Sequence, residues 1–217
     1  MVEFEPADGK LTPERERQLI EAAQGGCASS AQELIAAHQQ RLFAFVWRMV
    51  RNNHDTEELC QEAFLRAFQA LDTFNFSYRF STWLFTIGYR LCLNAMRRHR
   101  DQDMDVDFGT FAEGDAPGSE APESVADAVV NSDEANRLKK VIWNSVDQLS
   151  PAQRATVLLF YREALSCQEI GDVLGIPAAT VKSHLHRARA QLKRLLAGEM
   201  VEDWSVVRTG GRAAESA

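Results

Sequence analysis

LSCQEIGDVLGIPAATVKSHLHRARAQLKRLL, residues 165–196, decides the fold. Ser166 followed three residues later by Glu169 is a capping box, the pattern that opens a helix by satisfying two orphan amides at once. Ile170, Val173 and Leu174 then share one face of a short helix, and Gly175 ends it. After the turn Gly175-Ile176-Pro177 a longer helix begins, with Val181, Leu185, Ala188, Leu192 and Leu195 along a single apolar seam. Thr180, Lys182, Ser183, His186, Arg187 and Lys193 are left facing outward. A capped helix, a tight glycine turn and a basic second helix make a helix-turn-helix, whose second helix fits the major groove of DNA. The plainer alternative is a helical hairpin with a solvated basic face, and the three signals together weigh against it.

Upstream, Ser150-Pro151 is an N-cap with proline at the first helical position. It predicts a preceding helix with Val157, Leu158 and Tyr161 on its apolar face. The second domain is therefore placed at 137–196, and 197–217 is expected to be a disordered tail with Trp204 isolated in polar sequence.

The net charge of −7 over 217 residues argues at first against a nucleic-acid partner. Its distribution reverses that. Arg90, Arg97, Arg98, His99 and Arg100 lie in a stretch without an acid, and so do Lys182, His184, His186, Arg187, Arg189, Lys193 and Arg194. Between them, Asp101 to Asn136 carries many acids, Pro117, Pro122 and several glycines, with neither Lys nor Arg. Such a segment has too little apolar content to offset the entropy of ordering it, and it predicts a flexible acidic linker over 101–136. A spacer whose charges only keep it soluble explains the run equally well.

Ahead of the linker the chain reads as helices throughout. Leu34, His38, Leu42, Phe45, Val46 and Met49 recur at helical spacing, as do Leu59, Ala63, Phe64, Ala67, Phe68 and Leu71. Opposite the second stripe lie Asp55, Glu58, Gln61, Glu62 and Arg66, an acidic and amide face open to a partner or merely solvated. A third helix puts Trp83, Ile87, Leu91 and Ala95 on one side and closes on the basic cluster. Around its start are Phe74, Phe76, Tyr78, Phe80, Trp83 and Phe85. Aromatic rings beside cations suit single-stranded nucleic acid, since each stacked base contributes ~1–3 kcal/mol, although ordinary core accounts for most of these rings. This domain is placed at 30–100, with 1–29 an N-terminal extension that starts the first helix.

Other functions find little support. Cys27, Cys60, Cys92 and Cys167 are scattered singly, without metal-ligand spacing, and read as small buried hydrophobes in a reducing cytoplasm. No metal or cofactor is expected. The start of the chain lacks a signal-peptide pattern, and no apolar run approaches the ~20 residues of a membrane span. Neither nucleotide-binding nor catalytic motifs are present, so an enzyme is not expected.

Two segments together resemble a known family. DTEELCQEAFLRAF (55–68) and FSTWLFTIGYRLCLNAMRRHR (80–100) resemble the polymerase-binding helix and promoter-melting segment of sigma region two. LSPAQRATVLLFYREALSCQEIGDVLGIPAATVKSHLHRARAQLKRLL (149–196) resembles sigma region four. The order and the absence of an intermediate domain are those of the small extracytoplasmic-function (group 4) sigma factors of the sigma-70 family. The resemblance implies an all-α protein of two helical domains, non-enzymatic and cytoplasmic, whose partners are core RNA polymerase and promoter DNA. By the same resemblance Asp55, Glu58, Gln61, Glu62 and Arg66 would meet the clamp helices of the β′ subunit. Tyr78, Phe80, Trp83, Arg90, Asn94, Arg97 and Arg98 would hold the melted minus-ten element. Thr180, Lys182, Ser183, His184, His186 and Arg187 would read the minus-thirty-five element while region four docks on the β flap. An anti-sigma factor is a further expected partner. Gly88, Tyr89, Arg90 and Asn94 depart from the family pattern beside the expected base-reading face, and His184 stands where arginine is common. A stand-alone helix-turn-helix regulator of duplex operators is the alternative; the upstream segments separate the two.

Overall fold

The computed structural model describes residues 11–104 and 133–210, with side chains placed at 11–99 and 137–197. Among the described residues all regular structure is helical, in two compact units. The first is built on α1 (Pro13–Gln24), α2 (Ala28–Val50), α3 (Asn53–Gln69), a 3-10 turn at Leu71–Thr73 and α4 (Phe80–Met104). The second holds α5 (Asp133–Asp147), α6 (Pro151–Val157), a π turn at Leu158–Arg162, the start of α7 (Cys167–Leu174), and α8 (Ala178–Gly210).

In the first unit both expected stripes are buried, except that Phe68 of the second is half-buried. Leu34, His38, Leu42, Phe45, Val46 and Met49 of α2 lie inside, as do Leu59, Ala63, Phe64 and Ala67 of α3. Asn52 caps α3 by accepting from the Asp55 amide at 3.2 Å. On α4 the buried face is centred on Leu84, Phe85, Gly88, Leu91, Cys92 and Ala95; Trp83 and Ile87 stand at its margin. Gly88 has a packing reason: a Cβ there would lie 2.9 Å from Leu42 Cδ1, so its absence lets α4 press onto α2.

The described part of the N-terminal extension, from residue 11, is part of this unit. Thr12 caps α1 through the Arg15 amide at 3.2 Å, Pro13 opens it, and Leu19 and Ile20 are buried. Arg15 grips Glu33 of α2 with two hydrogen bonds of 3.1 and 2.8 Å, and Gln24 donates to the Leu71 carbonyl at 2.9 Å. The compact unit thus includes α1, ahead of the segment expected to start at residue 30, because α1 carries apolar side chains that need cover.

In the second unit both expected caps form. Ser150 and Gln153 exchange bonds across the start of α6. Ser166 and Glu169 do the same before α7, at 2.8 and 3.2 Å. Gly175 takes the left-handed conformation (φ 69°), and a Cβ on Gly171 would meet the Ile176 carbonyl at 2.7 Å, so both glycines are demanded by the tight turn. The core gathers Val146, Leu149, Val157 and Ala188, with Trp143 and Leu192 against it. Tyr161 is not in that face; it is 59% exposed. The π turn inserts an extra residue per turn and rotates the helix end, so Leu159 is buried instead.

Three further expectations change. The helix α8 runs to Gly210, through most of the segment expected to be a disordered tail, since no proline interrupts it; residues 211–217 lie outside the described residues. The acidic segment 101–136 is helical at both ends, up to Met104 and from Asp133, and its centre, 105–132, lies outside the described residues. Not all cysteines are buried. Cys27 is exposed at the N-cap of α2, and the hydroxyls of Ser29 and Ser30, at 3.2 and 3.3 Å, hold its thiol down at about 7. Cys60 and Cys92 do fit the expectation: burial pushes each thiol up to about 12.

Candidate nucleic-acid and partner interfaces

The outer face of α3 has the expected composition with one exception in its availability. Glu58, Gln61 and Arg66 are exposed, and Glu62 pairs with Arg66 at 2.6 Å one turn along. Asp55 is already engaged. Its carboxylate lies 2.9 Å from His99 Nε2 at the far end of α4, which ties the start of one helix to the end of the other. Beside the polar residues stands Leu65, 53% exposed.

On α4, Arg90, Asn94, Arg97 and Arg98 are exposed at steps of four, seven and eight residues, one face of the helix. Gly88 and Tyr89 are buried, so the departures at those two positions serve packing rather than base reading. Burial also raises the Tyr89 phenol above its ordinary value.

The aromatic cluster at the start of α4 divides into core and surface. Phe80 is 0% exposed, edge-on to Phe74 at 6.0 Å and Trp83 at 5.9 Å, with the His38 ring at 5.2 Å. A base cannot stack on it, and the expectation that Phe80 holds DNA is corrected: the helix start turns this ring under the loop. Trp83 is half-buried against Phe74. Tyr78, 49% exposed, and Phe76, 37% exposed, are the most solvent-accessible rings of the cluster, with the Arg17 guanidinium 4.7 Å over Phe76. The loop is shaped by Asn75, whose side chain accepts from the Ser77 amide at 2.9 Å while its carbonyl accepts from Tyr78 at 3.1 Å.

Along α8 the expected seam is buried at Val181, Leu185 and Ala188 and half-buried at Leu192 and Leu195. Lys182, Ser183, His186 and Arg187 are exposed, and Thr180 and His184 are half-buried. Two of these are less free than the sequence implies. The Ser183 hydroxyl donates back to the Ala179 carbonyl at 3.1 Å, and His184 has its Nδ1 enclosed by protein. Arg189 turns away to the Tyr161 hydroxyl at 2.7 Å.

The family model described as Sigma-70 region 2 matches residues 34–102, and the model described as Sigma-70, region 4 matches residues 139–192. The chain belongs to the sigma-70 family. Its relatives are extracytoplasmic-function members. This sigma factor is 28% identical to the ECF RNA polymerase sigma factor SigW of Bacillus subtilis, over 83% of this chain and 96% of the relative. It is 33% identical to the corresponding SigE of Mycolicibacterium smegmatis, over 76% of this chain and 61% of the relative. Its fold resembles that of CnrH, solved in complex with the cytosolic domain of CnrY, with a TM-score of 0.61, 23% identity, and coverage of 85% of this chain and 98% of that one.

Leu65 of this sigma factor is not marked by the apolar period, which picks out only the stripe that packs. The signal was available: a leucine off that stripe is left largely uncovered by its own domain, here 53% exposed. Arg17, whose guanidinium lies 4.7 Å over the Phe76 ring, was missed for another reason, because residues 17 and 76 meet only in the folded chain. Among the described residues no helix is long and apolar enough to cross a membrane.

Proposed function

We propose that three exposed surfaces carry out the family's task of binding core RNA polymerase and directing it to specific promoters. The face of α3 with Glu58, Gln61, Glu62, Leu65 and Arg66 meets the clamp helices of the polymerase β′ subunit. An apolar side chain ringed by polar ones matches the apolar core and polar rim of a protein interface. The exposed stripe Arg90, Asn94, Arg97 and Arg98 follows the backbone of the melted minus-ten strand, and Tyr78 with Trp83 and Phe76 receives an unstacked base. Lys182, His186 and Arg187 of α8 enter the minus-thirty-five major groove, with Thr180, Ser183 and His184 beside them, while region four docks on the β flap.

The observation that carries this reading is the chain order: a region two match with its polar α3 face and basic α4 stripe, followed by a capped helix-turn-helix. A stand-alone operator-binding regulator has no use for the first half. In this reading the chain works in the cytoplasm through contacts alone, without covalent chemistry, and a protein inhibitor of the anti-sigma class competes for the same surfaces.

Gel shift of a promoter fragment with and without core RNA polymerase tests it. Retention is expected only when both proteins are present, accompanied by run-off transcription. A shift of duplex DNA by the chain alone at the same concentration would return the regulator reading.

A further inference from the structure

In the second unit an open groove of about 630 Å³ runs between α5, the π turn and α8. Its floor is apolar, with Ile142 and Trp143 of α5, Leu158 of the turn, and Leu192 and Leu196 of α8. Ile142 is 38% exposed and Leu138, one turn ahead of it, is 52% exposed, so this side of α5 is only partly covered by its own unit. The rim is cationic. Arg162, Arg189 and Lys193 stand on it, and none of the three pairs with a carboxylate among the described residues. Rings hold two of these cations in place: Arg189 donates to the Tyr161 hydroxyl at 2.7 Å, and the Arg162 guanidinium lies 6.0 Å over Trp143.

Such a groove suits an acidic segment with apolar anchors, and the chain carries one. Between residues 101 and 136 the only aromatic residues are Phe108 and Phe111. Asp105, Asp107, Glu113 and Asp115 flank them, with no Lys, Arg or His in the stretch 105–115, which lies outside the described residues. Large rings bring the most apolar area per ordered side chain, so they serve as anchors while charged neighbours meet a polar rim. The groove offers the matching surface, an apolar floor between three cations that lack a counter-charge. Reach is ample. From Phe111 to Asp133 the chain spans up to ~70 Å when extended, and Ile142 lies ~14 Å along α5 from Asp133.

We propose that this groove is the docking site of the chain's own segment 105–115: Phe108 and Phe111 enter between α5 and α8, and the flanking carboxylates meet Arg162, Arg189 and Lys193. The acidic run is then more than a spacer, because part of it is a ligand of the second unit. A contact made within one chain acts at a local concentration on the order of millimolar, which favours this segment over a second copy at ordinary protein concentrations. Any protein that uses the same groove has to displace it.

The test places the photo-reactive analogue benzoylphenylalanine at position 111 of the full chain, without polymerase or DNA. The dilute protein is irradiated, and cross-linked peptides are identified by mass spectrometry. Cross-links within one chain to Ile142, Leu192 or Leu196 are expected. Phe108→Ala should lower the docked-to-open ratio read from their yield by about tenfold or more, the effect of withdrawing one ring from an apolar site. Arg189→Glu with Lys193→Glu should also lower the yield, and adding Asp107→Lys with Glu113→Lys should restore it. Restoration by the second pair of reversals cannot come from misfolding. The proposal is overturned if the cross-links fall outside the groove, or if charge reversal on the rim leaves the yield unchanged. Cross-links that join two chains would assign the groove to a second copy and overturn it too. If position 111 gives no cross-link to the second unit, the groove is left to a partner protein and the proposal fails.

Discussion

The two units of this sigma factor were built by different kinds of information. In the second, local signals set each boundary: the capping boxes at Ser150 and Ser166, the left-handed Gly175 and the Val181–Leu185–Ala188 seam all lie within a few residues of what they control. In the first, the decisive contacts join distant parts of the chain, as with His38 against Phe80, Gln24 on Leu71, Arg17 over Phe76 and Asp55 on His99. The lesson is that a residue's role can be read locally where caps and turns dominate. Where aromatic rings cluster, packing assigns the roles.

The sharpest test of that contrast is the pair Phe80 and Tyr78, two residues apart in sequence. Phe80→Ala should destabilise the first unit by ~3–5 kcal/mol, the cost of emptying a buried aromatic site. Tyr78→Ala should stay within ~0.5 kcal/mol of the parent, as exposed substitutions do. Chemical denaturation followed by circular dichroism measures both. Permanganate footprinting of the promoter should show Tyr78→Ala impaired in opening, with duplex binding by holoenzyme retained. Equal destabilisation by the two substitutions would break the division between core and surface rings.

On α3 the comparison is between an open and an occupied position. Leu65→Asp and Glu58→Lys should each weaken assembly with core polymerase by ~2 kcal/mol or more, as expected of hot-spot positions. Asp55→Asn should cost less than ~1 kcal/mol, since its partner is the exposed His99 of its own chain. Co-purification with core polymerase across a salt series separates these outcomes.

In the second unit, Arg187→Ala should weaken minus-thirty-five recognition by ~1–3 kcal/mol if a base edge is read, and Lys182→Ala should reduce the salt slope of promoter binding by about one if a phosphate is touched. Salt titrations of holoenzyme on promoter DNA distinguish the two. A smaller effect tests the local signals themselves. Ser166→Ala removes one half of a capping box and should cost ~1 kcal/mol in the stability of the second unit alone.

The last contrast leaves stability aside and concerns the cysteines. Alkylation requires the thiolate, so Cys27, held down at about 7, should react half-maximally near that pH, and faster as pH rises through it. Cys60 and Cys92, pushed up to about 12, should stay protonated and unmodified in the folded protein through pH 9. Mass spectrometry after a brief pulse of iodoacetamide reads all three sites at once.

Sequence alone determined that this protein is helical, that its basic clusters lie on two separate helices, and where α6, α7 and α8 begin. Hydrophobic period, capping residues and turn glycines act over one or two helical turns, so they are visible in a string of letters. Only the tertiary structure decided that Phe80 is core while Phe76 and Tyr78 face outward, because six aromatic residues between 74 and 85 compete for one interior and only geometry allots the places. Only the fold could bring α1 against the loop before α4, or commit Asp55 to His99 across 44 positions of sequence. The π turn at Leu158–Arg162 belongs with these, since one inserted residue moved Tyr161 to the surface without any signal in the apolar period. Periodicity measures which side of a helix is apolar; which neighbour that side meets depends on chain segments far away.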